Sequence, residues 1–578
     1  MADVAAAAAA VTEPEPSIGN DALRRVAVRA TWWLSIAALA LLIGWPLGWV
    51  VLMSFENAEG AFTLANYVRA ATSKRFLDAA FNSFVLSTSV GILSVLIATP
   101  MAWAIARTDM PGRRFIQIMA IASLITPGFL TAVAWILLAG PNAGLVNQLY
   151  RAVTGAPGPL FDVLSMQGMI FVTLLECFPF AFVLISSAFQ NVAPELEDAA
   201  RISGASTAAT MMRVTMPLVL PAILAGFILC FLEALVLFSA PAIIGVPARV
   251  YVLTTQIWAL FQYPPQLGVA SALSVPLLLV TVALLFAQRR LLGRRSYVTV
   301  TGKTTGQRVI ALGWARWPMF ALFAGVVILS AGLTYIVLFV YATSRTWGAM
   351  PGPGNFTFDN FRMVLFDLDP AQKGLKNSII LAISAAVVAT AFGGLLAYVS
   401  ERRLFKGSWA VGLVAMAPMV IPGIVFAVGL FSAYTRPPLV LYGTLWILFV
   451  AYLTKFLPLS FMNSATAIKA VSPDLEEAAR ISGSSSLHTF AVVTVPLIRQ
   501  GLLSGGLLVF IYSFRELSSS ILLFTNNTIV ASVAVYDLYE TGAWPQLCAL
   551  GFILLVINTA VVALGYRVLG KSLIGARA

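Results

Sequence analysis

Five ionisable residues sit inside runs that are otherwise apolar: Glu176, Glu233, Lys455, Arg515 and Glu516. A charge at the centre of a bilayer costs ~3 kcal/mol on insertion scales, so such residues usually face a cavity or a partner. That makes all five candidates for a translocation pathway; interhelical pairing or snorkelling is the structural alternative. Arg515 and Glu516 are adjacent, and adjacent residues on a helix do not face each other, so each needs its own partner. Pro127 and Pro422 join the set, each mid-run beside a glycine. A proline there removes a backbone hydrogen bond and kinks the helix. In a membrane the freed carbonyl must find another donor, often near a cavity; a purely structural kink is the other reading.

Other chemistry is sparse. "GYRVLGKS", Gly565 to Ser572, matches the phosphate-loop pattern letter for letter. That pattern needs a buried strand before it and a helix after it, whereas an apolar run precedes it here. "GKTTG" at Gly302 lacks the earlier glycine. Cys177, Cys230 and Cys548 lie in apolar runs and His488 is the single histidine, so no metal cluster or disulfide framework is legible. With no hydrolytic triad either, the expectation is a chain that is not an enzyme and holds no metal or cofactor of its own.

The elements that position these residues must be membrane helices. The chain is 60% hydrophobic and 10% charged, with a mean hydropathy of +0.90. Apolar runs of ~20 residues, each long enough to cross the hydrocarbon as a helix, recur throughout. Period-2 alternation of a membrane barrel is absent. Twelve spans are expected near 31–53, 80–106, 114–138, 167–190, 217–240, 268–288, 317–341, 377–400, 407–434, 441–465, 496–524 and 546–567. The net charge of +12 comes from Arg and Lys at span ends, which reads as positive-inside orientation rather than nucleic-acid binding. All the basic clusters fall on one side if both termini are cytoplasmic. The N-terminal residues 1–30 lack a cleavable signal pattern and read as a disordered cytoplasmic tail.

The halves repeat. "FTLANY" at Phe62 echoes "FTFDNF" at Phe356, "NSFVLS" at Asn82 echoes "NSIILA" at Asn377, and "TPG" with Pro127 echoes "IPG" with Pro422. Their offset of 294 or 295 falls to 279 further on, so the first half carries about 16 extra residues in the Gly- and Pro-containing segment 140–165, which reads as an outside loop. Each half has six spans, hence the same orientation, and the two are related by an axis along the membrane normal. The expected organisation is a first repeat over 31–290, a cytoplasmic linker over 291–316 and a second repeat over 317–570. Equivalence also places Glu176 opposite Lys455 across that axis, and an approach between them is expected to offset part of the burial cost; the alternative is that each pairs within its own half or that Lys455 reaches water in a cavity.

A polar sentence is written twice: "PELEDAARISGASTAATMMRVTMP" over 194–217 and "PDLEEAARISGSSSLHTFAVVTVP" over 473–496. Pro starts each helix, acids fill the first turn, and Gly204 or Gly483 ends it. A second short helix should then lead to Pro217 or Pro496. Glu477-Ala478-Ala479, Gly483, Val493 and Pro496 resemble the EAA loop of ATP-binding-cassette importer permeases. Glu197, Asp198, Ala199, Ala200, Gly204, Val214 and Pro217 repeat it, with Asp198 aligned to Glu477 and Glu197 to Glu476. Over almost the whole chain the sequence is most similar to the fused two-repeat permeases of ferric-iron importers.

That resemblance implies an all-α polytopic protein of the type I importer permease fold in a bacterial inner membrane. It implies two copies of an ATPase subunit on the cytoplasmic side, docked on the EAA helices and holding the ATP and Mg, and a periplasmic or lipid-anchored solute-binding protein outside. Glu197, Asp198, Ala199, Ala200, Gly204, Glu476, Glu477, Ala478, Ala479 and Gly483 would then carry the coupling. Thiamine, phosphonate, sugar-phosphate and polyamine importers have similar permeases, so the substrate stays open. A secondary transporter also suits twelve spans in parallel halves, but it has no reason to repeat a docking helix.

Overall fold

The computed structural model describes residues 30, 33–57, 59–293, 309–349 and 352–569. Among these residues the structure is helical, with only isolated β-bridges. Ten helices are long and apolar enough to cross a membrane, and two bent pairs bring the number up to twelve. The first half consists of Trp33–Ser54, Lys74–Arg107, the pair Arg113–Ile125 and Gly128–Ala139, Met166–Asn191, Thr207–Val236 and Leu267–Gln288. The second consists of Gly313–Ala342, Asp369–Glu401, the pair Trp409–Val420 and Gly423–Tyr434, Leu445–Lys469, Phe490–Phe514 and Trp544–Arg567. They are called spans one to twelve below. The tail 1–29 and most of the linker, 294–308, lie outside the described residues.

Several expected boundaries move. Spans three and nine are not straight: the chain turns by 103° at Pro127 and by 105° at Pro422. Each proline caps a new helix that begins with its glycine, so the residue that was expected to kink a span divides it. Span five ends at Val236 and span eleven at Phe514. Arg515 and Glu516 therefore follow their helix rather than lying in it. The second short helix after each polar motif does not stop before Pro217 or Pro496. It runs into the span through a π turn, at Met211–Thr215 in one half and Phe490–Thr494 in the other. The extra segment of the first half is not simply a loop either, since Leu145–Thr154 is helical. Asn147 fixes it by donating to the carbonyls of Gly140 (2.9 Å) and Phe161 (2.7 Å).

The repeated letters have repeated jobs. Asn66 donates to the carbonyls of Ser54 and Glu56 at the end of span one, and Asn360 does the same for Ala342 and Ser344 after span seven. Asn82 reaches the Tyr251 carbonyl and Ser83 accepts from the Leu253 amide. In the second half Asn377 reaches the Ile529 carbonyl and Ser378 accepts from the Ala531 amide. These side chains satisfy backbone groups of the irregular segments after spans five and eleven, which no water could satisfy inside a bilayer. The halves also exchange their first spans. Span one lies against the second half, where a Cβ on Gly429 would stand 2.6 Å from the Pro46 carbonyl and Tyr434 donates to the Leu41 carbonyl. Span seven lies against the first half, where Ser330 donates to the Leu175 carbonyl (2.7 Å).

Candidate functional site

The two polar motifs form helices Pro194–Ile202 and Pro473–Ile481. Both end in a glycine-based cap. Gly204 and Gly483 have φ of +86° and +90°, a conformation available to glycine at little cost. The Gly204 amide bonds to the Arg201 carbonyl and the Ala205 amide to that of Ala200; Gly483 and Ser484 repeat this onto Arg480 and Ala479. The helices are thus stopped and turned by the same pair of bonds.

Each motif helix is tied to its own half by the same cradle. Glu197 takes a hydrogen bond from Thr215 (2.8 Å) and pairs with Arg107 (3.5 Å), whose guanidinium also reaches the Phe189 and Val192 carbonyls. Glu476 is bound by Arg402 (3.0 Å), Thr494 (3.1 Å) and Tyr398 (3.0 Å), and Arg402 also reaches the Val471 carbonyl. Arg107 and Arg402 close spans two and eight and are repeat equivalents, as are Thr215 and Thr494. Arg402 bonds the buried Glu476 carboxylate directly, and such charge-assisted bonds hold better than neutral ones, whereas Arg107 stands beside Glu197 as an ion pair. Glu197 and Glu476 therefore point inward and anchor the motif helix. Sequence reasoning grouped them with the docking face and read both arginines as orientation charges; their shared offset of 295 was the signal available.

The outward face carries other residues. Asp198 is half-buried, while Glu477, Ala199, Ala478, Gly204 and Gly483 are exposed; Ala200 and Ala479 are half-buried. Ile202 and Ile481 are each 87% exposed, although isoleucine is among the residues most often buried. Leu196 and Leu475 are about half exposed beside them. The two motif helices thus expose matching apolar side chains on otherwise polar faces. The sequence motif contains these isoleucines, but its charges drew the reading away from them.

Inside the membrane the structure pairs different residues from those expected. Lys455 does not meet Glu176. Its ammonium contacts both carboxylate oxygens of Glu516 at 2.9 and 2.8 Å, within its own half. Ser519 adds its amide and hydroxyl to Glu516 at 2.8 Å each. Equivalence under a two-fold axis places two residues at the same distance from the axis but does not by itself bring them together. Arg515 crosses to the other half, where it donates to the carbonyls of Leu124 (2.6 Å) and Thr126 (3.0 Å). Its guanidinium stacks on Tyr512, 4.5 Å from the ring centroid.

The two breaks organise this cluster. A Cβ on Gly128 would fall on the Glu176 carboxylate, and one on Gly423 would fall on the Lys455 ammonium. At the first break the charges complement the helix dipoles: a cation meets the carbonyl end of Arg113–Ile125 and an anion meets the amide end of Gly128–Ala139. At the second break a cation stands at an amide end, and Glu516 offsets the mismatch. Among the described residues no group of three or more His, Cys, Asp or Glu could hold a metal ion.

Comparison with known proteins bears on the whole chain. Residues 95–297 and 389–573 each match the family described as the binding-protein-dependent transport system inner membrane component, together more than half of the sequence. The ferric transport system permease protein FbpB of Actinobacillus pleuropneumoniae is 26% identical over 534 residues, 91% of this chain and 76% of that protein. The putative ferric transport system permease protein FbpB 1 of Haemophilus influenzae is 28% identical over 502 residues, 86% of this chain and 78% of its own. The putative 2-aminoethylphosphonate transport system permease protein PhnV of Salmonella paratyphi A is 25% identical over 226 residues, 39% of this chain and 84% of that protein. A solved bacterial ABC transporter involved in the import of the acidic polysaccharide alginate aligns at a TM-score of 0.39 and 19% identity, over 48% of this chain and 98% of its own. With its domain present twice, the chain belongs to the family of binding-protein-dependent transport system inner membrane components: it is a multi-pass ABC importer permease, a transport component and not an enzyme.

Proposed function

We propose that this permease imports ferric iron, received from a periplasmic or lipid-anchored binding protein and driven by two cytoplasmic ATPase subunits. The observation that carries the coupling is the duplicated cradle: Arg107–Glu197–Thr215 and Arg402–Glu476–Thr494. Each cradle joins a motif helix rigidly to two spans of its half, so force applied to the helix moves those spans. The exposed pairs Leu196/Ile202 and Leu475/Ile481 supply apolar contact for one ATPase each. Both motif helices and both termini then face the cytoplasm. ATP and Mg belong to the ATPase, and closure of its two copies draws the motif helices together and opens the halves outward.

Ferric iron is supported by relatives named for ferric transport that align over most of the chain. A phosphonate substrate is the second reading, supported by a relative that aligns with 39% of the chain. Uptake in cells lacking other iron importers separates them. Radiolabelled ferric iron accumulation that depends on this chain, with no change in 2-aminoethylphosphonate uptake, is the expected result. Phosphonate accumulation without iron would overturn it. Affinity purification of the full chain should bring down an ATPase in twofold stoichiometry; its absence would remove the coupling assignment whatever the substrate.

A further inference from the structure

We propose that Arg515 is a latch between the halves, a positioning residue that holds the break in span three closed and moves to the Glu176 carboxylate when that side of the pathway opens. The inference rests on the permease reading, in which the route runs between the halves. Arg515 belongs to the second half, yet its guanidinium donates to the carbonyls of Leu124 and Thr126 in the first. Those carbonyls are freed because the helix stops at Ile125 and the chain turns, so the amides of Gly128 and Leu130, which a continuous helix would bring to them, belong to the next helix. Among the described residues no other donor reaches the Leu124 carbonyl, and inside a bilayer a carbonyl without a donor is costly. The clamp therefore satisfies the break and fastens it across the interface in one contact.

The latch has no mirror image. The repeat equivalent of Arg515 is Val236, which cannot donate from its side chain, and the equivalent of Tyr512, the ring beneath the guanidinium, is Glu233. The second break, at Ile421 and Pro422, is packed against Lys455 of its own half instead. Thr126 and its equivalent Ile421 are nonetheless both closed off, at 2% and 7% exposure. Two breaks are shut, and one of them by an ion-assisted fork between the halves. The alternative acceptor is already in place. Glu176 lies against Gly128 on the far side of the same break, and its Oε2 is buried without a hydrogen-bond partner. One cation with two acceptors on one wall is a two-position element.

The test needs no substrate, ATPase or binding protein, so it is separate from the assignment of iron. In the full chain with Cys177, Cys230 and Cys548 replaced by alanine, Thr126→Cys and Ile421→Cys serve as single reporters in membrane vesicles. Their rates of modification by a small charged methanethiosulfonate are measured. Removing a charged clamp with Arg515→Met should speed modification at position 126 by roughly tenfold or more, and leave position 421 within about twofold. Arg515→Lys should fall between, and if the Met variant does not accumulate, the Lys variant carries the same comparison. Glu176→Gln should slow position 126, because the open arrangement loses its charged acceptor. Equal acceleration at both reporters would mean general loosening and would overturn the latch, as would no change at either. An unchanged rate in Glu176→Gln would remove the second position.

Discussion

Glu516→Gln should damage this protein more than Lys455→Met, and the two together should do less harm than Glu516→Gln alone. The ammonium and carboxylate are 2.8 Å apart at their closest, with side chains 19% and 8% exposed. At an effective dielectric of about 20, that separation gives on the order of 6 kcal/mol of attraction. Desolvation of both ions offsets most of it, and breaking such a pair from one side costs about 3–5 kcal/mol. The two sides are not alike. Without Lys455, Glu516 keeps the Ser519 amide and hydroxyl, so a loss near 2 kcal/mol is expected from the charge-assisted bonds that remain. Without Glu516, Lys455 stands against Gly423 at the amide end of a helix, where the dipole opposes a cation; the loss should reach about 4 kcal/mol. The assay is the unfolding free energy of the purified full chain in mixed micelles, with uptake measured in parallel. A coupling energy of about 2 kcal/mol or more is expected for this pair, against additivity within ~0.5 kcal/mol for Lys455→Met with Glu176→Gln. Additive losses for Lys455 and Glu516, or a worse outcome for Lys455→Met, would refute the reasoning.

Three further outcomes follow from the geometry. Ile202→Asp with Ile481→Asp should abolish ATPase copurification while membrane insertion, checked by fractionation, is unchanged, because both side chains are almost fully exposed. Gly128→Ala should cost about 1–3 kcal/mol in the same micelle unfolding assay, since its Cβ overlaps the Glu176 carboxylate; adding Glu176→Ala should recover most of that loss. Halves divided within residues 296–308 should reassociate on coexpression, because packing holds the bundle. Starting the second half at residue 314 should weaken their coprecipitation, because Ile310 pairs with Arg107 and Asp109 and the Leu312 amide is capped by Asp109.

The sequence displays what periodicity and repetition can carry. Apolar runs located the spans, and the double offset located the repeats, because each half obeys the same physics independently. Even the conserved-looking letters between the halves, Asn82 with Asn377 and Asn66 with Asn360, turn out to satisfy equivalent carbonyls. Ends of helices were less legible. "FRELSSS" contains neither glycine nor proline, so span eleven was extended past Phe514, and the division at Pro127 looked like a kink because the apolar run continues on both sides. Partners were least legible, since a charge in an apolar run announces that it needs something and not where that something lies.

The failure over Glu176 and Lys455 is instructive because the repeat suggested it. A two-fold relation equates positions, but the residues there are free to diverge, and the charges inside this membrane have done so. The first half contributes Glu176 and Glu233, and the second contributes Lys455, Arg515 and Glu516. The second half settles its lysine internally and extends its arginine across the interface to the first. At the motif helices the opposite holds, since the ion pair of Arg107 with Glu197 is repeated by that of Arg402 with Glu476. Symmetry is kept where two identical motors are proposed to act. It is given up along the proposed route between the two walls, because a single cargo on the axis does not require both walls to be alike. A fused chain permits that division: each wall can change alone, while the two docking helices stay matched.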